Sequence, residues 1–386
     1  MRCASALSTA RNTDAAFRDV LDRVADGLAG EEADFALAFT SAHHADRLAD
    51  LWEGARSRSL ARRLVACTGE SIVGEGREIE GSAAVSLWAI RLAGGPSRAI
   101  RLEFADGEFR GWPEDLPADR QTLLLLGDPF TFPADLLLKH LQSVAPGVQV
   151  LGGMASAGQA PGQNRLLLDG ETFEGGAVGI LLDSSTSVRS VVSQGCRPVG
   201  HTMIVTKADG NLIRELGRRP ALEALREMFE DLPEADQALA RQGLHVGRVI
   251  NEYQGTFHRG DFLVRNVMGA DPNGAIAIGD TVRVGQTVQF HVRDADSADE
   301  DLRCLLAEGR GAVPASGALL FTCNGRGSRL FSKADHDAGV IRESLGPIPV
   351  AGFFAMGEIG PVGGQNFLHG FTASVAIFES AQPARE

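Results

Sequence analysis

One unit recurs three times along the chain, and it constrains the fold more than any other feature. It runs strand, polar loop, helix, second strand into glycines, long loop, third strand. Copy one takes in "DFALAFTS" (34–41), "HHADRLADLWEGARSRSL" (43–60), "RRLVACTGE" (62–70) and "SAAVSLWAIRL" (82–92). Copy two takes in "QTLLLLGDP" (121–129), "PADLLLKHLQSVA" (133–145), "GVQVLGGMASAG" (147–158) and "GGAVGILLD" (175–183). Copy three takes in "SGALLFTCNGRG" (316–327), "DHDAGVIRESLG" (335–346), "IPVAGFFAMGEIG" (348–360) and "LHGFTASVAIF" (368–378). Short continuous apolar runs bounded by glycine and polar turns are the pattern of strands buried on both faces. A repeat of about 60 residues that cannot bury its own sheet implies stacked or fused sheets. The expected fold is therefore α/β: mixed β-sheets with flanking helices, built from recurring strand–helix–strand–strand units in two related halves. Copies one and three share Gly-Glu where the second strand ends, Gly69-Glu70 and Gly357-Glu358. That makes Glu70 the expected counterpart of Glu358 and leaves room for two pockets.

The rest of the chain is different material. Residues 13–29 are predicted to be a helix, with Thr13 as cap, Phe17, Val20, Leu21, Val24 and Leu28 on one face, and Gly30 as stop. Between copies two and three, 189–216 reads as strands with a turn at Asp209-Gly210, and 219–232 and 233–244 read as helices. Strands follow at 262–269 and 275–294, then a helix over 297–309 introduced by Ser297 and Glu300 as a capping box. "RGAVPASG" (310–317) reads as a connector. At 386 residues the chain can hold two or three cores. A net charge of −13 without a Lys/Arg-rich run disfavours nucleic acid and anionic membrane as partners. No apolar stretch is long enough for a membrane helix, and the N-terminus lacks the apolar core of a signal peptide. The five cysteines contain no CxxC pair, which argues against a zinc ribbon and for a reducing, cytoplasmic setting.

The motifs with chemistry in them are few. No glycine-rich segment matches a nucleotide cradle. "RDADSADED" (293–301) lacks the glycine and terminal glutamate of a calcium loop, so no metal is expected there. "FTCNGRGSRLF" (321–331) is the segment of most interest. Cys323 ends an apolar run, and Asn324 and Gly325-Arg326-Gly327 follow. Glycines let backbone N–H groups approach a ligand, and an arginine there can clamp a carboxylate with its two-pronged guanidinium. The bland alternative is a buried cysteine beside a surface arginine. "MGEIGPVGGQNFLHG" (356–370) has the composition of a ligand loop at a strand's carboxyl end, with Gly357, Glu358, Gly363, Asn366 and His369, or it is an ordinary long turn. His43 and His44 follow a strand and read either as an anion site or as a solvated helix start. Cys67 reads as a small buried hydrophobe. A nucleophilic role for Cys323 would need a histidine base, and no spacing singles out His336 or His369.

These segments resemble the FIST family, a sensory domain with N- and C-terminal parts found in bacterial signal-transduction proteins and in F-box proteins. The resemblance rests on "FTSAHH" (39–44), "CTGESIVGEGREIEG" (67–81), "LGDPFTFPADLLLKHL" (126–141), "VLGGMASAG" (150–158) and "SQGCRPVG" (193–200), which holds Arg197. It continues through "FLVRNVMGADPNGAIAIGD", "FTCNGRGSRLF" and "PVAGFFAMGEIGPVGGQNFLHGFTASVAIF". It covers about residues 33–380. It implies an N-terminal part over 31–215 and a C-terminal part over 216–380, preceded by the N-terminal helix assigned to 1–30 and followed by a tail at 381–386. It also implies a small-molecule ligand, an amino acid or related small carboxylate, and no cofactor. The chain carries no kinase, cyclase, methyl-accepting or F-box module, so signal output passes through a protein partner or oligomerisation. Carried onto this chain, the resemblance supports Cys323, Arg326, Glu358, Asn366 and His369 as pocket residues. The expected pocket has Arg326 as carboxylate clamp, the Gly325 and Gly327 amides as anion donors and Glu358 opposite a ligand amine. Glu70, His43, His44 and Arg197 are secondary candidates. An enzyme using Cys323 as nucleophile or redox thiol, and a protein-binding adaptor, are the alternatives.

Overall fold

The computed structural model describes residues 1–95, 97–113, 121–257, 260–308 and 313–380. The chain divides into two compact units. The larger is Met1–Ser193 with Leu302–Glu386, and the smaller is Gln194–Asp301. The boundary expected between residues 215 and 216 thus falls inside the smaller unit, within its strand Leu212–Leu216.

The three copies build the larger unit, one sheet each. In copy one, Phe35–Ser41 and Leu64–Gly69 run parallel, Val85–Arg91 pairs antiparallel beside them, and Arg2–Ser8 follows at the edge. In copy two the parallel pair is Gln121–Gly127 with Val148–Met154, flanked by Ala177–Leu182 and then Ser97–Ala105. In copy three it is Ala315–Cys323 with Val350–Ala355, flanked by Thr372–Glu379 and then Val188–Gln194. The outer strand Arg2–Ser8 lies within the stretch 1–30 expected as helix, and Ser97–Ala105, flanked in turn by Glu108–Arg110, has no counterpart in the sequence reading. In Ser97–Ala105 the burial alternates, because one face is left to solvent.

The long loop of each copy is a β-hairpin, and each hairpin leaves its own sheet. Copy one sends Ile72–Gly74 and Arg77–Ile79 to the sheet of copy three. Copy three sends Glu358–Val362 and Gln365–His369 to copy two. Copy two sends Leu166–Leu168 and Glu171–Phe173 to copy one. The exchange closes a ring of three. The turns are two residues long with φ positive at both, Glu75-Gly76, Asp169-Gly170 and Gly363-Gly364, the backbone that matches strand twist in a tight hairpin. "MGEIGPVGGQNFLHG" is therefore mostly a hairpin, and Gly363 serves its turn.

Register then fixes which residues correspond. Leu166 stands opposite Cys67, Glu358 opposite Gly153, and Ile72 opposite Phe353. Cys67, Gly153 and Phe353 themselves hold the same place in their parallel pairs, opposite Phe39, Leu126 and Phe321. The counterpart of Glu358 is therefore Ile72, not Glu70, and the shared Gly-Glu is offset by two residues. The central core of this unit joins Phe39, Phe321 and Phe353 with Leu124, Leu126 and Trp88. Phe39 stacks on Phe353 with ring centres 5.2 Å apart. Such aromatic pairs add about 0.5–1.5 kcal/mol each beyond their buried area.

The opening helix is Thr13–Gly27, capped by Asn12 rather than Thr13. The stretch 43–60 splits into a 3₁₀ turn, Ala42–Arg47, and a helix, Leu48–Ser57. The smaller unit is an antiparallel sheet, with Cys196–Asp209, Thr287–Arg293, Leu244–Val249 and Phe262–Ala270 as its main strands, and helices Ala221–Asp231 and Glu234–Gln242. The helix expected from 297 begins at Ala295, because the Asp294 carboxylate accepts from the Ser297 N–H at 3.1 Å and caps it. The connector 310–317 lies partly outside the described residues.

Candidate functional site

The carboxyl ends of the copy-three strands gather the polar residues of the sequence motif. Cys323 ends Ala315–Cys323 and is half-buried. The chain turns at Asn324 and Gly325, and the Gly325 N–H points at the Cys323 sulfur from 3.4 Å. Glu358 opens the neighbouring hairpin and is wholly buried. Its Oε2 accepts from the Thr372 hydroxyl at 2.8 Å and the Thr372 N–H at 3.2 Å. Its Oε1 has no hydrogen-bond partner meeting geometric criteria among the described residues, and the Cys323 thiol is its polar neighbour. Burial pushes the Glu358 carboxyl up to about 8, against the pull of Thr372. Burial, and then the Glu358 charge, push the Cys323 thiol far above its ordinary range. At neutral pH both groups are therefore uncharged. That is the reverse of what a thiolate nucleophile needs.

Three-fold correspondence shows how unusual Glu358 is. The equivalent side chains Ile72 and Leu166 are fully buried and apolar. A carboxyl in the place of an isoleucine and a leucine costs stability, and such local rule-breaking is concentrated at functional sites.

Arg326, in the same turn, has no exposure at all. Its Nε and Nη2 donate to Asp337 Oδ2 and Oδ1 at 2.7 and 2.8 Å, and its Nη1 lies 3.4 Å from the Phe371 carbonyl. Phe331 covers the guanidinium at 5.1 Å. The arginine expected to clamp a ligand carboxylate holds an internal aspartate instead, which corrects the clamp reading. Asp337 also accepts from Thr322 Oγ1 at 2.6 Å and meets His336 Nδ1 at 2.9 Å. The guanidinium holds the Asp337 carboxyl well below the usual carboxylate range despite its burial. Glu78, delivered by the copy-one hairpin, accepts from the Ala338 N–H at 2.9 Å. Burial and the Asp337 charge push its carboxyl up.

Gly327 has φ +57°, and a side chain there would strike the Phe354 ring and Glu80; its role is packing. Gly357, at φ +131°, abuts Leu368 and Met154. His369 stands opposite Glu358 across the hairpin, with Nε2 2.9 Å from the Gly360 carbonyl. Asn366 and Gly363 lie at the other end of that hairpin, where Asn366 bridges the Val148 carbonyl and the Val150 N–H. His44 is buried against Phe17 and Thr13, and His43 is exposed. Glu70 pairs with Arg329. Arg197 belongs to the smaller unit, bound to Asp236 and Asp294. The structure thus brings together Cys323, Asn324, Gly325 and Glu358, with Arg326 and His369 behind them. Sequence reasoning missed Asp337, Thr372 and Glu78. Asp337 carried a readable signal, a carboxylate at a predicted helix start in the same copy as Arg326.

A FIST N domain matches residues 34–219 and a FIST C domain matches 221–361. The chain belongs to the FIST family. An uncharacterized protein of Mycobacterium bovis is 44% identical over 386 residues, covering 98% of this chain and 99% of its own length. An uncharacterized protein of Mycobacterium tuberculosis is 43% identical over 385 residues, covering 98% and 100%. FIST domains are associated with sensing in signal transduction. Among the described residues no helix of this FIST protein is long and apolar enough to cross a membrane, and no group of acidic, His and Cys side chains could hold a metal.

Proposed function

We propose that this FIST protein is a cytoplasmic sensor that binds a small amine-bearing ligand, an amino acid or close derivative, at the Cys323–Glu358 mouth. The observation that carries the reading is Glu358, a buried carboxyl whose polar neighbours include Thr372 and the Cys323 thiol, where the two sister positions hold Ile72 and Leu166. A carboxyl poised near 8 gives up its proton when an ammonium group arrives, since an opposite charge within a few ångströms lowers its pKa. Asn324 Oδ1, also buried and without a hydrogen-bond partner among the described residues, is a second acceptor for that amine. The ligand carboxylate falls to Arg329 instead of Arg326. Arg329 is exposed, bonds the Asn324 carbonyl at 2.7 Å and pairs with Glu70 on the surface, an exposed pair worth about 0.2–1 kcal/mol and so readily exchanged. Occupancy then passes to a protein partner.

Calorimetry of the wild type against amino acids, in two buffers of different ionisation enthalpy at pH 7, tests this. Binding accompanied by proton release, and absent from Glu358→Ile, is the expected result. Equal binding by Glu358→Ile, which carries the residue of the sister copy, refutes it.

A further inference from the structure

A second feature of the larger unit is unrelated to the Cys323–Glu358 mouth. A cavity of about 440 Å³ opens at the amino-terminal ends of the copy-two parallel strands. Its floor is Gln121, Thr122 and Val148, the first residues of those strands, with Thr186 from the loop after Ala177–Leu182. Its rim includes Pro146, Ser184 and Gly364, all at the surface. The volume lies in the range of small-molecule sites.

Two facts specify its chemistry. Among the described residues, none of those lining it is charged. And two of its buried side chains each carry an oxygen that makes no hydrogen bond among the described residues. Gln121 is 6% exposed and Thr186 5%, and Gln121 Oε1 and Thr186 Oγ1 make no hydrogen bond among the described residues. Their neighbours are occupied: Asn366 is spent on the strand edge, and Gln149 Nε2 reaches the Val188 carbonyl at 3.3 Å. Buried polar atoms in folded proteins are nearly always bonded, so two orphans in one cavity ask for a partner.

We infer that this cavity is a binding site for a neutral, hydroxyl-rich small molecule of about monosaccharide size. A charged ligand would enter without a counter-charge, which is costly. An apolar one would leave both oxygens without a bond. A hydroxyl group donates to the Gln121 carbonyl oxygen and either donates to or accepts from Thr186, so a polyol meets both needs with one functional group. The site is independent of Glu358, which lies at the opposite end of the shared hairpin.

The test is equilibrium binding by ligand-observed NMR. Glucose, galactose, ribose, myo-inositol and sorbitol form the panel, with glycine, glutamate and acetate as charged comparators. At least one polyol is expected to bind wild type and Glu358→Ile alike. Gln121→Leu and Thr186→Val are expected to weaken it by about tenfold or more, because each removes one hydrogen-bonding group of matched shape. Melting temperatures of both variants are measured alongside, and binding lost without a lower melting temperature separates lost binding from lost folding; Thr186→Val, which deletes an oxygen with no hydrogen bond among the described residues, should melt no lower than wild type. Absence of binding by every polyol, binding that both variants retain, or equal binding of the charged comparators at this cavity overturns the proposal. Loss of amino-acid binding in Glu358→Ile, with polyol binding intact, bears on the other site alone.

Discussion

Replacing Asp337 by alanine would strip the carboxylate from a guanidinium that has no contact with solvent. In the wild type both charges are dry: the side chains of Arg326 and Asp337 are 0% and 1% exposed. Breaking a buried pair by removing one partner costs about 3–5 kcal/mol, because the other charge is left uncompensated. Thr322 and His336 also lose their acceptor, which takes the cost toward the upper end of that range. One group can answer: Glu78, whose carboxyl is held up largely by burial and by the Asp337 charge. With Asp337 gone, Glu78 ionises more readily and takes over part of the pairing. The cost should therefore be near 3 kcal/mol at pH 8, where Glu78 is the more ionised, and nearer 5 kcal/mol at pH 5.5, where it is the less so. Urea unfolding followed by tryptophan fluorescence reads this cleanly, since Trp52, Trp88 and Trp112 all lie in the larger unit. Arg326→Leu combined with Asp337→Leu should recover part of the loss, because no lone charge remains. A cost below about 1 kcal/mol at pH 5.5 would refute the reasoning, for it would mean that the guanidinium reaches water or a carboxylate other than Glu78.

Two further outcomes follow from the same groups. Glu358 is raised in the folded state, so its stabilising protonation is fully present below the unfolded value of about 4.3 and is lost as pH rises through about 8. Glu358→Gln should flatten that fall, measured as urea midpoints between pH 4.5 and 9, and leave the variant the more stable at the alkaline end; an unchanged slope would contradict the burial of this carboxyl. Among the cysteines, Cys304 is exposed while Cys3, Cys67 and Cys323 are held as thiols by burial. A maleimide at pH 7.5 should therefore react first at Cys304, and Cys304→Ser should abolish the fast phase, as read by intact-mass spectrometry. Rapid modification of Cys323 would revive its nucleophilic reading.

The sequence alone determined the three-copy plan, because apolar runs such as "TLLLL" and "GALLF" must be buried on both faces, and the family followed from the motifs at their ends. It also located the Cys323–Gly327 turn and Glu358. What it left open was pairing. Asp169-Gly170 and Gly363-Gly364 are hairpin turns by composition, yet nothing local says that each hairpin joins another copy's sheet. Sheet register is set by contacts between distant segments, and here it moved Glu358 opposite Gly153 and made Ile72 its counterpart. The fate of Arg326 was equally a tertiary decision. A guanidinium binds whichever carboxylate reaches it first, and the fold brings Asp337 across from the next helix and Glu78 from another copy. Periodicity and composition report that a residue is buried; only the folded chain decides what it is buried against.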